Sequence, residues 1–252
     1  MAQPSHAKAH SLKCKLLFGI GAIAVVSGAV VGIVVGTSGG SDSDAPVASP
    51  PPSSAGGSGT LKLLCLHGGG QSAAGFEGDL QALASSLGSH VTFVFGSSPY
   101  AANLWIRDPP GGKGEPTTDP DWALDSFTYL DDLISSQGPF DGLVGFSQGG
   151  AMTVAYLAQA DALGSFRFAV VFCGYIPSTH TGLVNRIDAA APMSTPTLFY
   201  IGRADAIIVP SMSEDAATKF ANATLVYGPG GHAPPQSGTE LAQVTDFIEA
   251  FL

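Results

Sequence analysis

A serine between glycines, in the run Gly145-Phe146-Ser147-Gln148-Gly149, is the strongest chemical signal in the sequence. An apolar segment precedes this run and a helix-like segment of small residues follows it, which is the strand–turn–helix context of a nucleophile elbow. Such a turn lifts the serine hydroxyl above the edge of a sheet and aims the N–H of Gln148 at an oxyanion formed beside it. An ordinary glycine–serine turn can have the same sequence, so the assignment of Ser147 as a nucleophile depends on partner residues elsewhere in the chain.

A serine hydroxyl needs a neighbouring base, and that base needs a carboxylate to orient it. In α/β-hydrolases the acid and then the histidine follow the serine along the chain. His232 ends a glycine-rich loop after the last predicted strand, whereas His180 precedes another strand and would break this order. Asp205 follows the carboxyl end of a predicted strand, where open parallel sheets bind ligands, and Asp188 lies before that strand. The sequence therefore predicts a catalytic triad of Ser147, Asp205 and His232.

A glycine run after the first predicted strand, His67-Gly68-Gly69-Gly70-Gln71, is the candidate for the rest of an oxyanion hole. Two N–H donors are needed, and we expect Gly69 and Gln148 to supply them. The run could also be taken for a phosphate-binding loop, but it lacks both the G-x-G-x-x-G spacing and a following Lys-Ser/Thr pair. His67 is predicted to pack beneath the loop.

The composition excludes some classes of partner. The 252 residues carry a formal net charge of −10, with no cluster of lysine and arginine outside the N-terminus, which disfavours nucleic acid. Three scattered cysteines are too few for a disulfide framework or a zinc site, so no metal is predicted.

The chain divides by composition into four parts. Residues 1–15 form a basic tail, and residues 16–36 contain no charge. As a helix, the uncharged run would span about 30 Å, the thickness of a bilayer core. Residues 37–59 are rich in Gly, Ser and Pro and are predicted to be a linker, and residues 60–252 are predicted to be the catalytic domain.

The uncharged run predicts an uncleaved signal anchor. A cleavable signal peptide is the competing interpretation, although its apolar core is usually only about 7–15 residues long. Basic residues before the run predict a type II membrane protein with a lumenal or extracellular catalytic domain. Gly28, Gly32 and Gly36 recur at every fourth residue, a spacing that allows helix-mediated dimerisation but is also explained by the ordinary tolerance of membrane helices for glycine.

Strand-like and helix-like segments alternate after residue 60. The predicted strands are 61–66, 91–95, 143–146, 168–173, 197–201 and 224–227. Helices are predicted between most of them, including one that ends at Gly88 and one opened by a capping box from Ser211 to Glu214. Alternation of this kind predicts a compact α/β-hydrolase with a mostly parallel sheet and helices on both faces.

Two loops are predicted to border the nucleophile because both follow the carboxyl ends of strands. The long loop 96–121 carries Tyr100 and Trp105, and the loop 174–177 carries Tyr175 and Ile176. Their apolar side chains predict a small-molecule ester or thioester substrate with an apolar acyl group.

Several of these segments together resemble the "family of serine hydrolases" group. The resemblance rests on Leu64-Cys65-Leu66-His67-Gly68, on Gly138-Pro139-Phe140-Asp141-Gly142 leading into the serine motif, and on the loops of Asp205 and His232. It covers about residues 61–252 and implies an esterase or thioesterase that uses this triad with no metal or organic cofactor. Members commonly have an aromatic residue in place of Gly69 and a bulkier one in place of Ala233, so the resemblance does not define the acyl preference.

Two other functions are kept as alternatives. A peptidase could use the same triad, although the sequence shows no further domain that would position a polypeptide. A non-catalytic binding module on a hydrolase scaffold is the second alternative, but such a module has no physical reason to retain all three triad residues.

Overall fold

A six-stranded parallel sheet forms the centre of a computed structural model that describes residues 59–160 and 166–252. The strands are β1 Leu61–Leu66, β2 Val91–Gly96, β3 Gly142–Phe146, β4 Phe168–Phe172, β5 Thr197–Gly202 and β6 Ala223–Gly228. The helices are α1 Ala73–Asp79, α2 Gln81–Leu87, α3 Leu124–Gln137, α4 Gln148–Ala160, α5 Thr181–Ala190, α6 Pro210–Ala217 and α7 Gly238–Glu249. The predicted α/β fold with six parallel strands is confirmed.

The sheet order β2-β1-β3-β4-β5-β6 determines where a ligand can bind. The chain runs outward from β1 to β2 and then returns to the other side of β1 to form β3. Ligands of open parallel sheets bind at the carboxyl ends of the strands where the order reverses. The reversal lies between β1 and β3, so the glycine run after β1 and the serine turn after β3 face the same crevice.

Alternate side chains of each strand enter two separate cores, as expected for a sheet covered on both faces. In β1, for example, Leu64 and Leu66 join the core that α3, α4, α5 and α6 cover. Leu63 and Cys65 join the opposite core with residues of α1, α2 and α7. Burial on both faces explains why the strands are almost continuously apolar in the sequence.

The structure differs from the predicted elements at three helices. The helix predicted to end at Gly88 is divided at Leu80, whose ψ of 6° is not helical, although Gly88 does end α2 with a positive φ of 58°. Helix α5 was not predicted. The capping box at Ser211 is also wrong, because Pro210 occupies the first turn of α6 and the N-cap Val209 makes no side-chain bond. Proline suits the first helical turn because its φ is already fixed near the helical value.

The predicted localisation must be corrected. No helix within residues 59–160 and 166–252 is long and apolar enough to cross a membrane. The 14-residue helix α3 measures about 21 Å at 1.5 Å per residue, less than the ~30 Å of a bilayer core. The predicted tail, anchor, glycine-spaced dimer contact and linker lie outside the described residues. A type II membrane protein with a lumenal domain therefore has no support, and we do not retain it.

Candidate active site

Ser147 occupies a strained turn between β3 and α4. Its φ is +53°, a left-handed conformation that non-glycine residues seldom adopt, and its N–H donates to the Phe172 carbonyl at 2.9 Å. A Cβ at Gly145 would collide with Thr153 Oγ1 and the Gly149 carbonyl, and one at Gly149 would collide with the Leu66 carbonyl. Gly145 is therefore required so that β3 and α4 can approach each other, and Gly149 so that α4 can approach the end of β1.

The imidazole of His232 connects Ser147 to Asp205. Its Nε2 lies 2.9 Å from Ser147 Oγ, and its Nδ1 lies 2.7 Å from Asp205 Oδ2. A carboxylate only accepts hydrogen bonds, so Nδ1 carries the proton and Nε2 is left to accept the serine hydroxyl proton. The structure thus brings together the three residues predicted from the sequence, in the arrangement of a nucleophile, its base and an orienting acid.

The Asp205 carboxylate is buried and held at both of its oxygens. Oδ1 accepts the N–H groups of Ile207 at 2.8 Å and Ile208 at 2.9 Å, while Oδ2 accepts from His232. Burial alone would raise the pKa of Asp205, but the bonds from His232 and the two N–H groups outweigh it and lower the pKa. The acid therefore stays ionised at neutral pH and cannot rotate away from His232.

The loops that carry the acid and the base are bonded to each other through their backbones. Arg203 N–H donates to the Gly228 carbonyl, and Ala204 N–H donates to the Gly230 carbonyl, both at 2.9 Å. The ring of His232 also lies against Phe146, with ring centres 4.9 Å apart. These contacts fix the histidine next to the serine.

The glycine run after β1 leaves one N–H available for an oxyanion. Gly68 N–H donates to Gln71 Oε1, Gln71 N–H to the Gly68 carbonyl, and Gly70 N–H to the Asn103 carbonyl. Within the described part of the chain, the Gly69 N–H has no such acceptor. Gly69 also packs against Gln148, since a Cβ on it would lie 3.2 Å from Gln148 Cβ.

The side chain of Gln148 holds the long loop after β2, a role that was not predicted. Its Oε1 accepts the Trp105 N–H at 2.8 Å, and its Nε2 donates to the Ile106 carbonyl at 3.0 Å. A side-chain amide has an oxygen that accepts and an NH₂ group that donates. It can therefore form hydrogen bonds with an extended backbone segment as the backbone of a neighbouring strand would. The only sequence signal for this contact is that the residue after the nucleophile is a glutamine rather than an apolar residue.

The cleft beside Ser147 has a volume of about 690 Å³. It is apolar over much of its wall, through Leu104, Ile106, Tyr175, Ile207, Ile208 and Met212. Charged side chains reach it from the loop after β2, at Asp108 and Lys113.

Comparison with known proteins places this geometry in a family. Residues 58–244 match the model of the family described as serine hydrolase (FSH1). The chain belongs to the serine hydrolase (FSH1) family. It is 30% identical over 223 residues to mouse Esterase OVCA2, an alignment that covers 76% of this chain and 97% of that protein. It is 29% identical over 209 residues to Esterase CG5412 of Drosophila melanogaster, covering 75% of this chain and 74% of that one.

Solved structures support the fold of this serine hydrolase. Acyl-protein thioesterase 2 of Zea mays superposes with a TM-score of 0.59 at 18% identity, covering 77% of this chain and 95% of that one. Esterase PE8 superposes with a TM-score of 0.58 at 23% identity, covering 77% and 94%. The resemblance noted in the sequence is confirmed, and the chain is an enzyme of the carboxylic ester hydrolase class.

Two aromatic residues predicted to bind substrate lie elsewhere in this serine hydrolase. Trp105 is fully buried in the core, where its Nε1 donates to the His67 carbonyl at 2.8 Å. The hydroxyl of Tyr100 accepts the Asp125 N–H, and its ring lies against the Arg107 guanidinium. Neither residue is among those that line the cleft of Ser147.

The second predicted loop contributes only in part. Tyr175 lines the cleft of Ser147, and burial raises its pKa to about 12, so its hydroxyl stays neutral. Ile176 instead lines a smaller neighbouring depression. Ile207, Ile208 and Met212 line the main cleft but were not predicted, because they follow the acid in what reads as an ordinary loop and helix start.

His67 is structural, as its position in the glycine run suggested. It is buried, its Nδ1–H donates to the Gly68 carbonyl at 2.8 Å, and its Nε2 accepts the Ser98 N–H at 3.2 Å. Burial lowers the pKa of His67, which keeps the ring neutral and suits this pair of bonds.

Cys173 is the one other side chain that could bind a metal together with triad residues in the described part of the chain. Its Sγ, a carboxylate oxygen of Asp205 and a ring nitrogen of His232 lie within 4.8 Å of one another. A thiol binds metal as the thiolate, but burial and the nearby Asp205 charge raise the pKa of Cys173 to about 12. Asp205 and His232 are already bonded to each other, so we interpret Cys173 as a packed neutral thiol.

Proposed function

We propose that this serine hydrolase cleaves carboxylic ester or thioester bonds of small molecules through an acyl-enzyme intermediate on Ser147. The observation that carries the proposal is the continuous hydrogen-bonded chain from Asp205 through His232 to the Ser147 hydroxyl. In this role His232 Nε2 takes the hydroxyl proton while Ser147 Oγ attacks the carbonyl carbon. Asp205 holds the imidazole and stabilises the imidazolium that forms.

The carbonyl oxygen becomes an oxyanion during this attack. The N–H of Gly69 and that of Gln148, at the start of α4, are the donors we assign to it. The imidazolium then gives its proton to the leaving alcohol or thiol as the bond between it and the carbonyl carbon breaks. A water molecule, activated by the same histidine, hydrolyses the acyl-enzyme and restores the free serine.

The substrate is proposed to have an apolar acyl group, because Leu104, Ile106 and Tyr175 contribute apolar wall to the cleft. Organic cofactors and metal ions have no part in the proposed steps. The catalytic unit is proposed to comprise residues 60–252.

The direct test is active-site labelling of the full-length protein with a fluorophosphonate, which phosphonylates an activated serine. We expect the wild type to be labelled and Ser147→Ala to be neither labelled nor active, with kcat lower by about 10⁶. Ser178→Ala is the matched control, because Ser178 lines the same cleft without belonging to the hydrogen-bonded chain. Turnover by Ser147→Ala at the wild-type rate would contradict the proposal, whereas a wild type that is neither labelled nor active would favour the binding-module alternative.

A further inference from the structure

The sheet order separates the two groups that a reacting ester would contact. The glycine run with Gly69 follows β1, on one side of the β3 turn that carries Ser147. Asp205 and His232 follow β5 and β6, on the other side of that turn. The N–H donor for the oxyanion and the histidine that donates the proton therefore approach the substrate from opposite directions along the sheet edge.

This separation defines where a leaving group must lie. The departing oxygen or sulfur takes its proton from His232 Nε2, which must be within hydrogen-bond reach of it, at about 2.6–3.2 Å. The carbonyl oxygen meanwhile points toward Gly69 and Gln148. The leaving group of the ester thus extends toward the β5–β6 side of the cleft.

The wall on that side is apolar and is tied to the acid itself. Asp205 Oδ1 binds the N–H groups of Ile207 and Ile208, so the same turn that holds the acid also presents these two side chains. Ile207 is 68% exposed and Met212 of α6 is half-buried, and both line the cleft with Ser147 and His232. An isoleucine this exposed contributes little to folding, yet it offers apolar surface next to the reacting atoms.

Among the described residues that line the cleft, no lysine or arginine follows β5 or β6. The charged side chains that line the cleft, Asp108 and Lys113, belong to the loop after β2. A phosphorylated leaving group such as coenzyme A would place anionic oxygens beside uncharged side chains on the β5–β6 side. An alkyl group there would instead lose water-exposed apolar area.

We propose that Ile207, Ile208 and Met212 form a binding surface for the leaving group and select esters or thioesters of uncharged, apolar alcohols or thiols. The proposal rests on the function assigned to Ser147 and His232. It makes Ile207 a specificity-determining residue for the alcohol, and it assigns the acyl chain to other parts of the cleft.

Two ester series measured on the full-length protein test it. One series keeps the acetyl group and lengthens the alcohol from methyl to hexyl, and the other keeps the methyl alcohol and lengthens the acyl chain. Because kcat/KM reports steps up to acylation, it includes loss of the leaving group. For the wild type we expect kcat/KM in the alcohol series to rise by up to about fourfold per methylene until the wall is covered.

The variant Ile207→Asn, which adds no charge beside the triad, is expected to remove at least half of this rise and to leave the slope of the acyl series unchanged. Leu124→Asn is the matched control, since Leu124 is 50% exposed and does not line the cleft, and it should keep both slopes. Fluorophosphonate labelling of each variant verifies that its active site is folded.

The proposal would be overturned by a wild-type alcohol series without a rise, or by an alcohol slope that Ile207→Asn leaves unaltered, whether or not the acyl slope changes. Failure of the proposed function gives a different result, since Ser147 would then not be labelled at all. Acetyl-coenzyme A hydrolysed as fast as hexyl thioacetate would also contradict the apolar preference.

Discussion

The two sides of the Ser147 cleft are held in place by different means. On the β5–β6 side, the acid is fixed by short-range backbone bonds from Ile207 and Ile208 to Asp205, two and three residues away. On the β1–β2 side, the long loop is held by the side chain of Gln148, which reaches Trp105 across 43 positions of the chain. The orienting acid is thus held by its own turn, whereas the opposite wall is held by long-range bonds, including those of the Gln148 amide.

The comparison indicates that Gln148 has two separate roles. Its backbone N–H is a proposed oxyanion donor, and its side chain anchors the loop that contributes Leu104 and Ile106 to the cleft. One residue next to the nucleophile therefore links the proposed oxyanion site to the shape of the β1–β2 wall. A substitution at Asp205, on the β5–β6 side, should therefore chiefly lower catalysis, whereas loss of the Gln148 amide should chiefly lower stability.

The largest effect is expected for Asp205→Asn, on the side that moves protons. An amide accepts less well and favours the wrong imidazole tautomer, so kcat near neutral pH should fall by up to about 10⁴. Far-ultraviolet circular dichroism should remain that of the wild type. A loss of less than about tenfold would show that another carboxylate orients His232, with Asp188 to be examined next.

On the opposite side, Gln148→Met should chiefly reduce stability. Methionine fills a similar volume, but the buried N–H of Trp105 and carbonyl of Ile106 lose their partners, at about 1–3 kcal/mol for each unsatisfied group. Urea unfolding measures the change, with Gln236→Met, a more exposed amide, as the control. An unfolding free energy equal to that of the wild type would show that the amide does not anchor the loop.

A smaller effect is expected on stability at low pH, through the Asp205 carboxylate on the β5–β6 side. The folded state lowers the pKa of Asp205, so its ionised form stabilises the protein above its unfolded pKa of about 3.9. This contribution is lost as pH falls through the lower folded pKa. The stability advantage of wild type over Asp205→Asn should therefore shrink below about pH 4. An advantage that stayed constant or grew there would contradict the shift.

The smallest expected effect is at Cys173, beside the acid. Burial and the Asp205 charge raise its pKa to about 12, so the native thiol should not react with iodoacetamide at neutral pH. Peptide mass spectrometry should find it alkylated only after unfolding, as for the buried Cys65. Rapid native alkylation of Cys173 would mean that the β5–β6 side opens in solution.

The difference between the two sides also explains what could be predicted from the sequence. Ser147, Asp205 and His232 each follow the end of an apolar strand within a short loop, so a local pattern is enough to locate them. Trp105 was misplaced because an aromatic residue in a long polar loop gives no indication that Ser126 and His67 bury it. The apolar wall at Ile207 was not predicted, because the position of this exposed side chain next to Ser147 depends on how β3, β5 and β6 are arranged in the fold.

The same limit applies to the helices. The break at Leu80 and the proline start of α6 depend on packing and on backbone angles rather than on apolar spacing. The parallel sheet with helices on both faces, by contrast, follows from the alternation of strands and helices. Elements were therefore more predictable than the contacts between the loops that connect them.

The central claim, that Ser147 forms an acyl-enzyme, is tested most directly by rapid mixing with p-nitrophenyl acetate followed by acid quench and mass spectrometry. We predict that a quenched reaction contains an acetyl group on the peptide that carries Ser147, and that the peptide from Ser147→Ala remains unmodified. Acetylation at another residue, or full turnover with unmodified Ser147 at every quench time, would contradict it.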